Sequence, residues 1–134
     1  MSAEIITPEN VSVELLNDIL TAYLETSFDE DGKLIVMGDC SVYVTVTPDK
    51  SAIRLATVFR MKDESSPEDR LTAVNRINSD YMIKAFCTDN NMLIFSDYFL
   101  LAGGLTKKAF VLGMKRFDSI PRAAICDHAE NLIS

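Results

Sequence analysis

Apolar residues recur at intervals of three and four through the first part of the chain. They are Val11, Leu15, Leu16, Ile19, Leu20, Tyr23 and Leu24, with Glu14, Asp18 and Glu25 between them. That spacing predicts an amphipathic helix with an acidic back. Thr7-Pro8-Glu9 ahead of it offers a capping hydroxyl, a proline suited to the first turn and an acid for the positive end of the dipole. After Ser27 the period drops to two. Phe28 leads into the turn Asp29-Glu30-Asp31-Gly32, and residues 33–37 return as a strand before the turn at Gly38-Asp39. Over residues 41–47, Val42, Val44 and Val46 share one side while Tyr43, Thr45 and Thr47 share the other. Beyond Pro48-Asp49-Lys50-Ser51, a strand over 52–61 sets Ile53, Leu55, Thr57, Phe59 and Met61 opposite Arg54, Ala56, Val58 and Arg60.

Ser66-Pro67-Glu68-Asp69 is a second helix entry, with Ser as cap and proline in the first turn. Leu71, Val74, Ile77 and Tyr81 form its stripe. Strands over 82–88 and 92–100 follow, joined at Asp89-Asn90-Asn91; Gly103-Gly104 then breaks the chain. Thr106 caps a third helix whose stripe is Phe110, Met114, Phe117, Ile120 and Ala124. Pro121, lacking an amide proton, predicts a kink or restart near residues 119–120. The order is α-β-β-β-α-β-β-α, with a short extra strand at Phe28 left open. Short turns between strands require antiparallel pairing. The expected fold is therefore α+β: one domain over residues 1–134, a five-stranded antiparallel sheet packed against helices.

Composition changes this picture little: 134 residues, 48% apolar and 25% charged, suit one globular domain with a core. Charge changes it more. Thirteen basic against 20 acidic side chains give −7, which argues against a nucleic-acid partner. The first 32 residues hold eight acids and no base, leaving the remainder at +1. This is either a solvated helix face or a patch for a basic partner. Cys40, Cys87 and Cys126 are odd in number and without Cys-x-x-Cys spacing, which fits free, mostly buried thiols in a reducing cytoplasm. The opening residues lack the basic and apolar runs of a secretory signal. The most apolar stretch, residues 92–105, contains Ser96 and Asp97 and is too short to span a bilayer. A cytoplasmic location with no membrane partner is expected.

Candidate chemistry is sparse. Asp29-Glu30-Asp31-Gly32 hints at a calcium loop, but with Gly32 as the sixth position the first and twelfth are Ser27 and Gly38, neither of which fits. Cys126-Asp127-His128 holds the only histidine, yet residues two apart on a helix point different ways. His128 better suits a helix C-terminus. Gly103-Gly104 lacks the spacing of phosphate and dinucleotide loops. Lys107 and Lys108 stand in a first turn against the dipole's preference, as an ordinary solvated pair or as an anion contact. No catalytic, cofactor or metal residues are assigned. The segment 92–101 is apolar on both faces, so it is either a doubly covered central strand or a binding strand. Period two places Leu93, Phe95, Asp97, Phe99 and Leu101 together, opposite Ile94, Ser96, Tyr98 and Leu100. Burying an unpaired carboxylate is costly, so the set with Asp97 is expected to be exposed. Leu93, Phe95, Phe99 and Leu101 are thus the partner-binding candidates. Phe99→Asp should spare the fold and Leu100→Asp should destroy it.

Several phrases resemble the YbjN-like family of bacterial sensory transduction regulators. They are Val42-Tyr43-Val44-Thr45-Val46, the strand from Ile53 to Arg60, the helix segment Leu71-Thr72-Ala73-Val74-Asn75-Arg76-Ile77-Asn78, and the entry Gly103-Gly104-Leu105-Thr106. The resemblance spans about residues 8–130. It implies a type III secretion chaperone-like fold and carries over no catalytic residues. Its functional implication is a non-enzymatic regulatory or protein-binding module, a homodimer holding a peptide or protein. It also suggests dimer contacts through the second helix, at Leu71, Val74 and Ile77. A true type III secretion chaperone and a small enzyme with a carboxylate or thiol site are the alternatives.

Overall fold

A computed structural model describes residues 5–134; the first four residues of the expected domain lie outside the described residues. The elements run β1 (Ile5–Ile6), α1 (Val13–Leu20), β2 (Glu25–Phe28), β3 (Leu34–Met37), β4 (Ser41–Val46), β5 (Ala52–Arg60) and α2 (Pro67–Asp80). Then come β6 (Lys84–Cys87), β7 (Met92–Leu100), β8 (Leu105–Thr106), α3 (Lys107–His128) and a 3₁₀ turn at Glu130–Leu132.

Ser12, rather than Thr7, caps the first helix: its Oγ accepts the Leu15 amide at 3.0 Å. Thr7 and Asn10 instead close a separate turn. The Asn10 side-chain oxygen accepts the Thr7 amide at 2.8 Å, and Thr7 Oγ1 accepts the Asn10 amide at 3.2 Å. Short polar side chains bind nearby backbone in this way and so compete with helix. Tyr23 and Leu24 fall beyond the helix, where their amides turn back onto the Leu20 carbonyl. The other two caps stand where the sequence puts them: Ser66 accepts the Asp69 amide and Thr106 the Ala109 amide, both at 3.0 Å.

The main sheet runs β2-β3-β4-β5-β7-β6, every neighbouring pair antiparallel. It has six strands, not five. Glu25–Phe28 is a true edge strand paired to β3 residue by residue, but it carries little apolar alternation because most of it faces solvent. β1 and β8 form a small separate ladder. One core joins Leu16, Ile19 and Leu20 of α1, Ile77 of α2, and Phe110, Met114 and Phe117 of α3 to one sheet face: Leu34, Val36, Val42, Val44, Ile53, Leu55, Leu93 and Phe95. Complete burial of each large apolar side chain is worth roughly 1.5–3 kcal/mol.

The expected restart at Pro121 does not occur, since α3 is one helix of 22 residues. Pro121 is itself buried, in line with Phe117 and Ala124 on the core-facing stripe. Packing on that stripe offsets a proline cost of about 3 kcal/mol. At the other end of the chain, Met61 and Ile133 form an antiparallel bridge. The Ser134 amide also donates to the Arg60 carbonyl at 3.0 Å, tying the last residues to the end of β5.

Candidate functional site

The strand alternation that fills the core sends the remaining side chains to a sheet face that no helix of the described residues covers. One cross-strand row passes through all six strands: Ser27, Ile35, Tyr43, Ala56, Ser96 and Lys84. Beside it, Val58 faces Ile94, which faces Phe86; on the other flank Arg54 faces Tyr98. Met37, Val58, Tyr98 and Leu100 are the exposed large apolar residues here, Leu100 at 73%. The basic groups of this face are Arg54, Arg60 and Lys84. Lys84 Nζ lies 5.4 Å from the centre of the Phe86 ring, and Arg60 pairs with Asp63 at 3.5 Å. At the centre, the Ser96 hydroxyl is buried without a hydrogen-bond partner.

This is the face opposite to the one expected. Leu93, Phe95 and Leu101 are fully buried in the core, and Phe99 packs against it. The difference lies at Asp97. That carboxylate is on the helix side of the sheet but is not unpaired: Arg116 of α3 reaches it at 2.8 Å, both groups remaining partly exposed. Nothing local in the sequence announces a partner 19 residues away. Phe99 sits against the backbone of α3, where a Cβ on Gly113 would come within 2.5 Å of its ring, and it meets Phe110 edge-on at 5.3 Å. The substitution expectations for Phe99 and Leu100 are therefore exchanged. On α2, Ile77 is fully buried, Val74 is partly buried against the core, and Leu71 is 64% exposed. The Asn78 side chain pairs with both the amide and the carbonyl of Ala85, at 2.9 and 3.0 Å, occupying the outer edge of β6 as a neighbouring strand would.

The helices add polar contacts that bring some of the candidate residues together. Tyr81 donates its hydroxyl to Asp127, and this raises its pKa; His128 Nε2 meets Asp80 at 2.7 Å. Cys126 is exposed and takes no part, so Cys126, Asp127 and His128 do not converge. Asp118 of α3 accepts the amides of Asp39 and Cys40, at 2.9 and 3.1 Å, across the β3–β4 turn. Burial, then the hydrogen bond and charge of Asp118, push the Cys40 thiol up to about 12. Burial likewise raises the Cys87 thiol. Among the described residues no group of three or more His, Cys, Asp or Glu could hold a metal, and no helix is long and apolar enough to cross a membrane. A groove of about 720 Å³ lies between α1 and α3, with lysines along its α3 wall.

An antiparallel sheet backed by helices on one face defines an α+β domain of type III secretion chaperone-like architecture. The chain belongs to the YbjN family: residues 11–112 match the family described as "Putative bacterial sensory transduction regulator". Two solved structures share the fold. YbjN from E. coli, described as a "putative transcription regulator", aligns with a TM-score of 0.74 and 17% identity, covering 92% of this chain and 96% of that one. The Yersinia pestis type III secretion chaperone SycH, solved in complex with a stable fragment of YscM2, aligns with a TM-score of 0.54 and 11% identity. That match covers 85% of this chain and 97% of SycH. No curated protein sequence matches the chain significantly.

Proposed function

We propose that this protein is a non-enzymatic, cytoplasmic regulatory module that binds a protein or peptide on the open sheet face and works as a homodimer. The observation that carries this reading is the uncovered face itself, where Met37 and Val58 are exposed on one side of the Ala56–Ser96 row and Tyr98 and Leu100 on the other. Large apolar side chains exposed on an uncovered sheet face suit a protein partner, and the binding residues shift accordingly from the buried Leu93, Phe95 and Leu101 and the packed Phe99 to these side chains. Leu71 and Val74 remain as dimer contacts on α2, while Ile77 supports them from the core. Light scattering at tens of micromolar should give about twice the 14.9 kDa chain mass, and Leu71→Asp should return it to one. A protein captured from the native lysate by the wild type should be lost with Val58→Asp and Leu100→Asp, both on exposed positions. Capture that survives both substitutions places the binding surface elsewhere.

A second reading, a type III secretion chaperone, is favoured by the likeness to SycH, which was solved with a protein fragment bound. The two readings diverge on the partner: a secreted effector in one case, a protein or peptide of a regulatory pathway in the other.

A further inference from the structure

The groove between α1 and α3 is separate from the open sheet face, and its chemistry is different. Its floor is apolar: Leu15 and Ile19 from α1, Val111 and Leu112 from α3. Its α3 wall carries Lys107 and Lys108 at one end and Lys115 two turns further along, about 10 Å away at 1.5 Å per residue. Among the described residues none of the three lysines forms an ion pair, and Asp18 is the one acid on the lining. The local charge is thus positive on a chain of −7. Leu112 nevertheless stays 55% exposed in the middle of it.

The two ends differ. At the far end Lys115 Nζ lies 5.8 Å from the centre of the Tyr23 ring, so that ammonium faces an aromatic ring. Lys107 and Lys108 are adjacent and tied to no acid in the described structure, and they open to solvent above the apolar floor. An apolar trough with two adjacent cations at one end, and with its third cation set over an aromatic ring, fits a ligand with one anionic head and one apolar tail. The volume of about 720 Å³ falls within the roughly 300–1,000 Å³ usual for small-ligand sites.

We propose that this groove binds a free single-chain fatty carboxylate, its head between Lys107 and Lys108 and its tail over Leu15, Ile19 and Leu112 toward Tyr23. The charged head gains from two ammonium donors, and the tail covers Leu112 and Tyr23. Asp18, also on the lining, repels a carboxylate head and so weakens the binding.

Calorimetric titration of the full chain with decanoate below its micellar range tests this. The expected result is saturable 1:1 binding that Lys107→Glu with Lys108→Glu weakens about tenfold or more, and that Asp18→Asn tightens. Decyltrimethylammonium, with the same tail and the opposite head, should not bind. The thermal transition of each variant should stay close to wild type, because all three positions are on the surface. Leu112→Asp, also exposed, should abolish binding without touching a cation. Equal binding of the cationic amphiphile, or decanoate affinity unchanged by the lysine reversals, overturns the proposal. So does binding only to vesicles of anionic phospholipid, or only to an acidic amphipathic peptide, since each identifies another occupant. None of these outcomes bears on capture by the open sheet face.

Discussion

Gly38→Ala should cost about as much stability as Asp118→Ala, and the two losses should not add. A Cβ at residue 38 would sit 2.4 Å from Asp118 Oδ2 and 2.7 Å from Cγ, inside the contact distance of real side chains. The carboxylate cannot swing aside freely. It accepts the amides of Asp39 and Cys40 and lies 3.4 Å from Cys40 Sγ. Hydrogen bonds to a charged group are worth roughly 1.5–3 kcal/mol each, and less where water can replace them. The Asp39 amide is at the surface and the Cys40 amide is partly buried, so Asp118→Ala should cost about 2–3 kcal/mol. Alanine at 38 evicts the same carboxylate and forfeits the same bonds, at a similar cost. With Asp118 already gone, Gly38→Ala should cost under about 0.5 kcal/mol, because its obstacle is gone and alanine restrains the unfolded chain more than glycine does. The double-mutant cycle, measured by urea unfolding, should show a coupling of about 2 kcal/mol. For a domain of this size the single substitutions should each lower Tm by roughly 6–15 °C. Additive losses, or a neutral Gly38→Ala, would refute the close approach.

Three further outcomes follow from particular contacts. Phe99→Asp should lower stability by several kcal/mol, because a charge would replace a ring seated on α3, whereas Leu100→Asp should stay within about 1 kcal/mol of wild type; thermal unfolding in the reverse order would mean that the sheet faces are misassigned. Asp49 is held below its ordinary value of 3.8, first by the Ser51 hydroxyl, then by the Ser51 amide and Thr47. Its depressed folded pKa stabilises the β4–β5 turn above pH 3.8, a contribution lost as pH falls through the folded value. An NMR titration showing Asp49 at its ordinary value, or no change on Ser51→Ala, would contradict this. Iodoacetamide at mildly alkaline pH should label exposed Cys126 first and Cys40 only on unfolding, its thiol being buried and pushed up to about 12; equal rates at the two sites would be incompatible with that burial.

Periodicity and turn chemistry in the sequence determined the class of fold, the antiparallel pairing, two of three helix caps and the core stripe of α3. These are local properties: a period of two or of 3.6, a Ser-Pro or Gly-Gly step, a hydroxyl placed before a helix. The family was legible too, in phrases scattered along most of the chain. Tertiary structure decided what local pattern leaves degenerate. Period two separates the residues of β7 into two sets but does not say which set faces the helices; Arg116, reaching Asp97 from another element, reversed the choice that the carboxylate alone suggested. Pro121 reads as a break until its stripe is packed, and Glu25 reads as the back of the first helix, with only a short strand at Phe28 left open, until β3 lies beside Glu25–Phe28. The open face and the α1–α3 groove likewise exist only once distant residues are brought together. Which surface remains uncovered is settled by packing between elements far apart in the chain, and no local window of sequence contains that information.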